Sequence, residues 1–570
     1  MDMETTKLKF HFALTAEHVV SPSESDRPRR ALGFDETTPF ETKLKYLDKV
    51  GVSAFWLYGF RSAEGTVRDI GMLSEAKRKL ERLGKEVYIC CEPVGHPDAN
   101  QKALPAKNWR YRINCDGTPD YGCADIEENL VRDLVAATKA FRDAGFKKVF
   151  FDDDLRMGEW GTNITGCFCE ACIADFNRRL GARYTREDLR RFVQNPGEHA
   201  AICEQWMDFN CEKVTAFMQA VNLPGIQVGI MVMHNGDRKH GIDLPAILKA
   251  VPDCLVRVGE GHFDDASFDP DWGKQWLIQS LEMHKAIVKD VSRLYTENTV
   301  HPWPNLRPEN MAKKLLIEVE HGLRNIMLMP PPLLDAPEYW EAIARVLPQA
   351  EAMARGADCV GRQTNKLVVI NSGRCGQNSG ILREKFTADV LQVRPKPDYV
   401  FIYIGMNDVI NDQFFTPLDK YLENMTWLIE QARKAGITPV ICTIHKVNET
   451  VVYAHHPREK FGPETVNEKR RRYNTSLKKF AADQKVALAD FDAVTIALTE
   501  GDFLSDGVHL TLPGNKLLAR SFFDVIAPPL RGGETIVCVG DSLTYGYLNP
   551  GAGSAEGETY PAMLQQGRHE

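Results

Sequence analysis

Long apolar runs are missing from this 570-residue chain: none reaches the ~18–20 residues that a bilayer-spanning helix requires, so no membrane partner is expected. Long basic runs are missing too, and the formal net charge is −8. That leaves no electrostatic footprint for nucleic acid, which is excluded as an expected partner. The opening stretch MDMETTKLKFHFAL lacks an apolar segment followed by a small-residue cleavage site, so no secretory leader is read there. Internal repeats and low-complexity segments are also absent. The 14 cysteines do not have the look of a disulfide framework in a chain of this size. Thiols, some of them on a metal, fit better, and a cytoplasmic location is expected from that.

What is present is the composition of an ordinary globular protein, 43% hydrophobic and 26% charged, with length for two or three domains. Across 1–355, eight short apolar stretches (7–14, 52–60, 86–93, 147–154, 226–234, 254–261, 292–298 and 324–332) alternate with helical patterns such as 129–145 and 310–322. Near-continuous apolar strands between helices argue for a parallel sheet covered on both faces. Eight such units predict a (β/α)8 TIM barrel. An open doubly wound sheet is the alternative, but no Gly-rich phosphate loop follows the first strand. From 360 to 570, five more stretches (366–373, 398–405, 438–445, 486–492 and 535–542) alternate with helices at 420–436 and 464–484. They predict a flavodoxin-like three-layer α/β/α domain, with the boundary inside RGADCVGRQTNK (355–366).

GDSL at 540–543 closes the last of these strands. A serine at a sharp strand-to-helix turn projects its hydroxyl from the carboxyl edge of the sheet, where open α/β sheets bind ligands. Four letters alone are a weak signal, but three further blocks accompany them. INSGRCGQNS (370–379) offers Gly376, IGMND (404–408) offers Asn407, and SDGVHLT (505–511) offers Asp506 and His509. Singly, each has an ordinary reading as a turn, a positive-φ glycine or a loop pair. Together they supply a nucleophile in Ser542, a base in His509 to take and return its proton, and a carboxylate in Asp506 to fix the imidazole.

These four blocks resemble those of the SGNH (GDSL) hydrolase superfamily, which includes lipases, lysophospholipases and carbohydrate acetylesterases. The resemblance implies a cofactor-free serine ester hydrolase. It also implies an oxyanion hole built from the backbone N–H groups of Ser542 and Gly376 and the side-chain amide of Asn407. The block order departs from the family, in which the GDSL strand comes first. Here the helix at 515–527 runs through APPLRGGE (527–534) into the GDSL strand, and 557–566 then matches the family's first helix. The domain therefore reads as circularly permuted, a rearrangement that keeps its contacts when termini lie close together. The rival is a homo-oligomer in which 534–570 completes a neighbouring subunit, although the short link favours closure within one chain.

In the first region, CFCEAC (167–172) places three thiols at Cys-x-Cys-x2-Cys spacing. Three thiolates can wrap a tetrahedral zinc when a fourth ligand is added, here Cys123 or Cys115; buried reduced thiols without metal are the alternative. The layout resembles the structural zinc site of glycoside hydrolase family 42 β-galactosidases. That implies a closed four-cysteine site of Cys123, Cys167, Cys169 and Cys172 in a glycosidase-like barrel. The carboxyl ends of the barrel strands carry Tyr58, Arg61, Glu92, Asp152–Asp154 with Arg156, His234, Glu260 with His262, and Glu297. Glycosidases work with two carboxylates. In retaining barrel enzymes these follow the fourth and seventh strands, which points to Asp153 or Asp154 and to Glu297. The related β-galactosidases have Asn-Glu after strand four where this chain has Asp-Asp-Asp-Leu-Arg, so a barrel that binds sugar or shapes the esterase cleft stands beside a hydrolytic one. Trp56, Trp160 and Trp303 offer faces for sugar rings, with ordinary packing as the alternative. The expected whole is a carbohydrate O-acetylesterase fused to a barrel that binds or cleaves the same glycan, with an acylated oligosaccharide or other small ester as substrate. The alternatives are a barrel that is the main catalytic unit with an accessory esterase domain, and a sugar-binding module with neither activity.

Overall fold

The computed structural model describes residues 7–20, 40–61, 66–94, 108–123, 125, 129–152, 155–158, 163–232, 238–329, 331–355, 367–526 and 533–566. The chain divides into two compact units, Met1–Asp264 with Ser280–Asp358, and Asp265–Gln279 with Cys359–Glu570.

The first unit is built on eight parallel strands: β1 (Lys9–Leu14), β2 (Val52–Arg61), β3 (Glu86–Glu92), β4 (Lys148–Phe151), β5 (Gln227–Met231), β6 (Leu255–Arg257), β7 (Leu294–Tyr295) and β8 (Asn325–Leu328). They pair in the order β1-β8-β7-β6-β5-β4-β3-β2, and β1 also pairs with β2, which closes the barrel. Each expected apolar stretch contains a strand; β1 and β2 reach or pass the expected carboxyl end, and the other six stop short of it. Asp152, Glu260 and Glu297 lie just past β4, β6 and β7, where polar side chains leave the sheet and enter loops. Two features carry no apolar signal and were not expected: a two-residue strand at Thr66–Val67 antiparallel to β2, and a hairpin of Tyr111–Ile113 with Pro119–Gly122.

Large side chains fill the barrel interior, among them Trp56, Tyr88, Phe150, Met231, Tyr295 and Met327. Trp56 is fully buried there, its ring 4.8 Å from Tyr88 and 4.7 Å from Phe150. Its indole N–H donates to Nδ1 of His11 at 3.2 Å. Of the two readings of Trp56, packing holds and a face for sugar does not. It sits in the middle of β2, not at its end, and an inward position of a small barrel is filled by side chains. Trp303 is half-buried, with Tyr339 at 5.3 Å. Asp153, Asp154, Trp160 and His234, and the side chain of Arg61, lie outside the described residues.

The second unit holds five parallel strands: β9 (Val368–Gly373), β10 (Tyr399–Tyr403), β11 (Thr438–Cys442), β12 (Ala487–Ala489) and β13 (Thr535–Gly540), in the order β9-β13-β10-β11-β12. The last strand in sequence thus sits between β9 and β10, with Gly540 in register with Gly373 on one side and Tyr403 on the other. All six residues of β13 are buried, which is why TIVCVG is continuously apolar. Helices Leu418–Lys434, Val466–Gln484, Leu512–Phe523 and Tyr560–Gln566 pack with the sheet. Phe401 of β10 stacks on Phe522 at 4.6 Å, and Phe522 on Tyr560 at 5.6 Å. The expected strand 486–492 ends early because Asp490 caps a helix that starts at Phe491. Asp271 ties Asp265–Gln279 into this unit: its carboxylate accepts the backbone N–H of Asn371 at 3.2 Å and of Ala555 at 2.9 Å. Among the described residues, no helix is long and apolar enough to cross a membrane.

Candidate active site

The turn after β13 leaves no room for a side chain at its first position. A Cβ on Gly540 would lie 2.0 Å from the Tyr403 carbonyl oxygen, so only glycine fits. Asp541 then caps the short helix Ser542–Tyr545, its Oδ1 accepting the Leu543 N–H at 2.9 Å, and Gly546 ends that helix at φ 82°. Ser542 is presented at the start of this helix, at the carboxyl edge of the sheet.

His509 Nε2 is 2.9 Å from Ser542 Oγ, and His509 Nδ1 is 2.8 Å from Asp506 Oδ2. A carboxylate only accepts, so Nδ1 carries the proton and Nε2 is free to accept from the serine hydroxyl. The other oxygen of Asp506 accepts the backbone N–H groups of Val508 at 3.0 Å and His509 at 2.7 Å. Partial burial pushes the Asp506 carboxyl up, but the hydrogen bonds from the His509 backbone and ring outweigh it and hold the group below its ordinary range. Asp506 is therefore ionised wherever His509 needs it.

The two other expected oxyanion donors lie on the loops after β9 and β10. Arg374 N–H donates to the Gly540 carbonyl at 3.0 Å, which anchors the turn leading to Gly376 (φ 76°) against the end of β13. One N–H of the Asn407 amide donates to the Gln377 carbonyl at 2.8 Å, so Asn407 and the Gly376–Gln377 segment are tied together. Asp408 accepts the Ser379 hydroxyl at 2.6 Å and its backbone N–H at 3.0 Å, joining the same two loops.

A support for this arrangement went unread in the sequence. His445, just past β11, is fully buried. Its Nε2–H donates to the carbonyl of Val508, next to His509, at 2.9 Å, and its Nδ1 accepts the Tyr403 hydroxyl at 2.5 Å. Burial pushes His445 down to about 3, so it stays neutral and holds this tautomer. Asn448 N–H adds a hydrogen bond to the Gly507 carbonyl at 2.8 Å. The sequence signal was a histidine closing an apolar strand, which is indistinguishable from a packed core residue.

The barrel unit holds two further clusters. The Sγ atoms of Cys123, Cys167, Cys169 and Cys172 all lie within 4.8 Å of one another and are buried. Four thiolates at ~2.3 Å from one tetrahedral zinc stand ~3.8 Å apart, and Cys123 and Cys172 are 3.8 Å apart. The unexpected hairpin explains why Cys123 joins the group and half-buried Cys115 does not: Cys123 directly follows its second strand, its N–H bonded to the Arg110 carbonyl at 2.9 Å. The Arg110 guanidinium lies 3.7 Å from Cys123 Sγ and offsets thiolate charge. The donor set fits a metal, with no open position.

At the carboxyl ends of the barrel strands, Glu297 pairs with Arg257 at 2.5 Å and accepts the Glu260 N–H at 2.9 Å. Glu260 pairs with Lys314 at 3.1 Å, both side chains fully buried. Burial, and then the neighbouring Glu260, raise Glu318 well above the usual carboxyl range. The expected Glu297 is thus one member of a buried charge network. Lys314 and Glu318 went unread because they lie on the helix Pro308–Glu320, where alternating charge looks like a solvated face.

Residues 343–517 match the model of the GDSL-like Lipase/Acylhydrolase family. Among curated relatives, the uncharacterized lipoprotein YqeF of Bacillus subtilis (strain 168) is 33% identical over 84 residues, 14% of this chain; the match covers 34% of that protein's length. Similar solved structures include a GDSL-like lipase from Bacteroides thetaiotaomicron (20% identical, TM-score 0.23, covering 30% of this chain and 92% of that one). A catalytic mutant of Axe2, an acetylxylan esterase from Geobacillus stearothermophilus, is 24% identical with a TM-score of 0.22, covering 27% and 68%. The PgaB (BpsB) glycoside hydrolase domain from Bordetella bronchiseptica is 13% identical with a TM-score of 0.38, covering 61% and 98%.

Proposed function

We propose that the chain is a serine ester hydrolase whose second unit removes acetyl groups from carbohydrate, with Ser542 as nucleophile, His509 as general base and acid, and Asp506 as its orienting carboxylate. The observation that carries this reading is the continuous Ser542–His509–Asp506 hydrogen-bond chain, at 2.9 and 2.8 Å.

In the first half-reaction, Ser542 Oγ attacks the ester carbonyl as its proton passes to His509 Nε2. The resulting oxyanion takes hydrogen bonds from the N–H groups of Ser542 and Gly376 and from the second N–H of the Asn407 amide. Each such donor contributes ~2.7–4 kcal/mol to lowering the barrier. His509 then gives its proton to the alkoxide oxygen as the C–O bond breaks, and the alcohol leaves. Water repeats the sequence on the acyl-enzyme, releasing the acid and restoring Ser542.

We read the domain as a circular permutation of the SGNH order. The support is that β13, last in the chain, lies between β9 and β10, and that the family match stops at residue 517, before Ser542. The barrel is read as the part that engages the glycan, and the four cysteines as holding one structural zinc. The test is hydrolysis of an aryl acetate and of a panel of aryl glycosides by the full chain. Acetate release that falls by several orders of magnitude in Ser542→Ala, with folding intact, is the expected result. Turnover retained in that variant, or release of aryl alcohol from glycosides alone, overturns the assignment.

A further inference from the structure

Directly after the nucleophile helix, the chain exposes two large apolar side chains in a row. Tyr547 is 46% exposed and Leu548 60%. Exposed apolar residues standing singly are ordinary, but a consecutive pair beside reacting groups is not. The Tyr547 ring lies 4.9 Å from the His509 ring, tilted by 55°. Leu548 holds a left-handed backbone conformation, φ 70°. A bulky residue rarely adopts it, and such conformations gather where surrounding structure enforces them for function.

The surroundings do enforce it. Tyr547 N–H donates to the Ser542 carbonyl at 3.0 Å, and Gly546 N–H to the same carbonyl at 2.9 Å. The Asn549 amide then donates to the Leu510 carbonyl at 3.0 Å, next to His509. The segment 546–549 is thereby fastened at one end to the nucleophile and at the other to the loop that carries the base. Its apolar pair is held at a fixed place relative to both reacting side chains, and is left bare.

The chemistry decides which part of a substrate would meet it. His509 returns its proton to the departing alkoxide, so the alcohol half of the ester must lie beside the imidazole at that moment, while the acyl oxygen faces the donors of Gly376 and Asn407. A ring packed on His509 therefore borders the alcohol side. We infer that Tyr547 and Leu548 form the platform for the alcohol half of the ester, and that this half presents a flat apolar face, as the ring of a pyranoside does. Tyrosine supplies such contact at low entropic cost, with a hydroxyl at its rim for the sugar's polar edge.

This inference rests on the esterase reading and names its leaving-group class. The test measures kcat/KM for acetate release from a monoacetylated methyl xylopyranoside and from ethyl acetate, whose alcohols differ in having or lacking a ring. In the wild-type chain the sugar ester is preferred. Tyr547→Ala lowers that preference at least tenfold, and Tyr547→Phe, which keeps the ring, restores most of it. A preference that is unchanged in Tyr547→Ala, whether both esters slow together or neither does, overturns the platform while leaving the esterase standing. Hydrolysis of neither ester by the wild-type chain overturns both.

Discussion

Asp541 shows how a single residue at the nucleophile turn carries a charge problem that its neighbours do not. One oxygen caps the helix, while the other meets no hydrogen-bond partner among the described residues. Burial pushes its carboxyl up from the ordinary 3.8 to about 7. The folded chain therefore keeps a proton that the unfolded chain releases, and stability contributed by the neutral form is lost as pH rises from about 4 towards 7. Asp541→Asn keeps the capping oxygen without the charge. Its melting temperature relative to the parent should rise between pH 5 and pH 8; a difference that does not change with pH contradicts the burial account. The residues proposed to touch the reaction could be named from sequence because the chemistry proposed for them allows few substitutes: Ser542, His509, Asp506, Gly376 and Asn407 each sit beside a strand end or in a tight loop. Their supports were not. His445 and Tyr403 act through a backbone carbonyl, and nothing in a linear pattern says which carbonyl a buried histidine will meet.

At the scale of elements, the position of β13 governs the second unit. Among the described residues it is the sole partner of β9 in the five-stranded sheet, and it links β9 to β10. Ending the chain at residue 533 would remove this strand, orphan β9 and bare the apolar faces that pack on Ile536, Val537, Cys538 and Val539, all fully buried. The truncated chain should lose the cooperative unfolding of that unit and aggregate. A soluble product with native-like near-ultraviolet circular dichroism would show that 534–570 is an appendage. The strands themselves were legible wherever apolar residues ran together, and least so at their ends. β7 keeps only two residues of the expected 292–298, although the backbone past it still bonds to the β8 side, Thr296 N–H to the Asn325 carbonyl and Asn298 N–H to the Met327 carbonyl, both at 3.0 Å. The hairpin that delivers Cys123 left no trace in apolar periodicity, since its strands are short and half-polar.

For the whole molecule, the sequence made two units legible from a change in rhythm: eight strand–helix repeats, then five. What it missed is that Asp265–Gln279, which lies between β6 and β7 in sequence, belongs to the second unit; the reason is the Asp271 carboxylate, whose backbone partners no pattern reveals. The four-cysteine site in the barrel unit should hold one zinc per chain. Elemental analysis of protein purified without chelator checks this, and a strong chelator should lower the melting temperature of the barrel; absence of zinc contradicts the metal reading. The central claim is that a serine near the end of the chain is completed by a histidine and an aspartate earlier in that same chain. Treating the full-length protein with a fluorophosphonate and mapping the adduct by peptide mass spectrometry tests it most directly. One adduct per chain at Ser542, formed by monomeric protein and lost in His509→Ala, is the predicted result. An adduct elsewhere, or none on a folded chain, would contradict it.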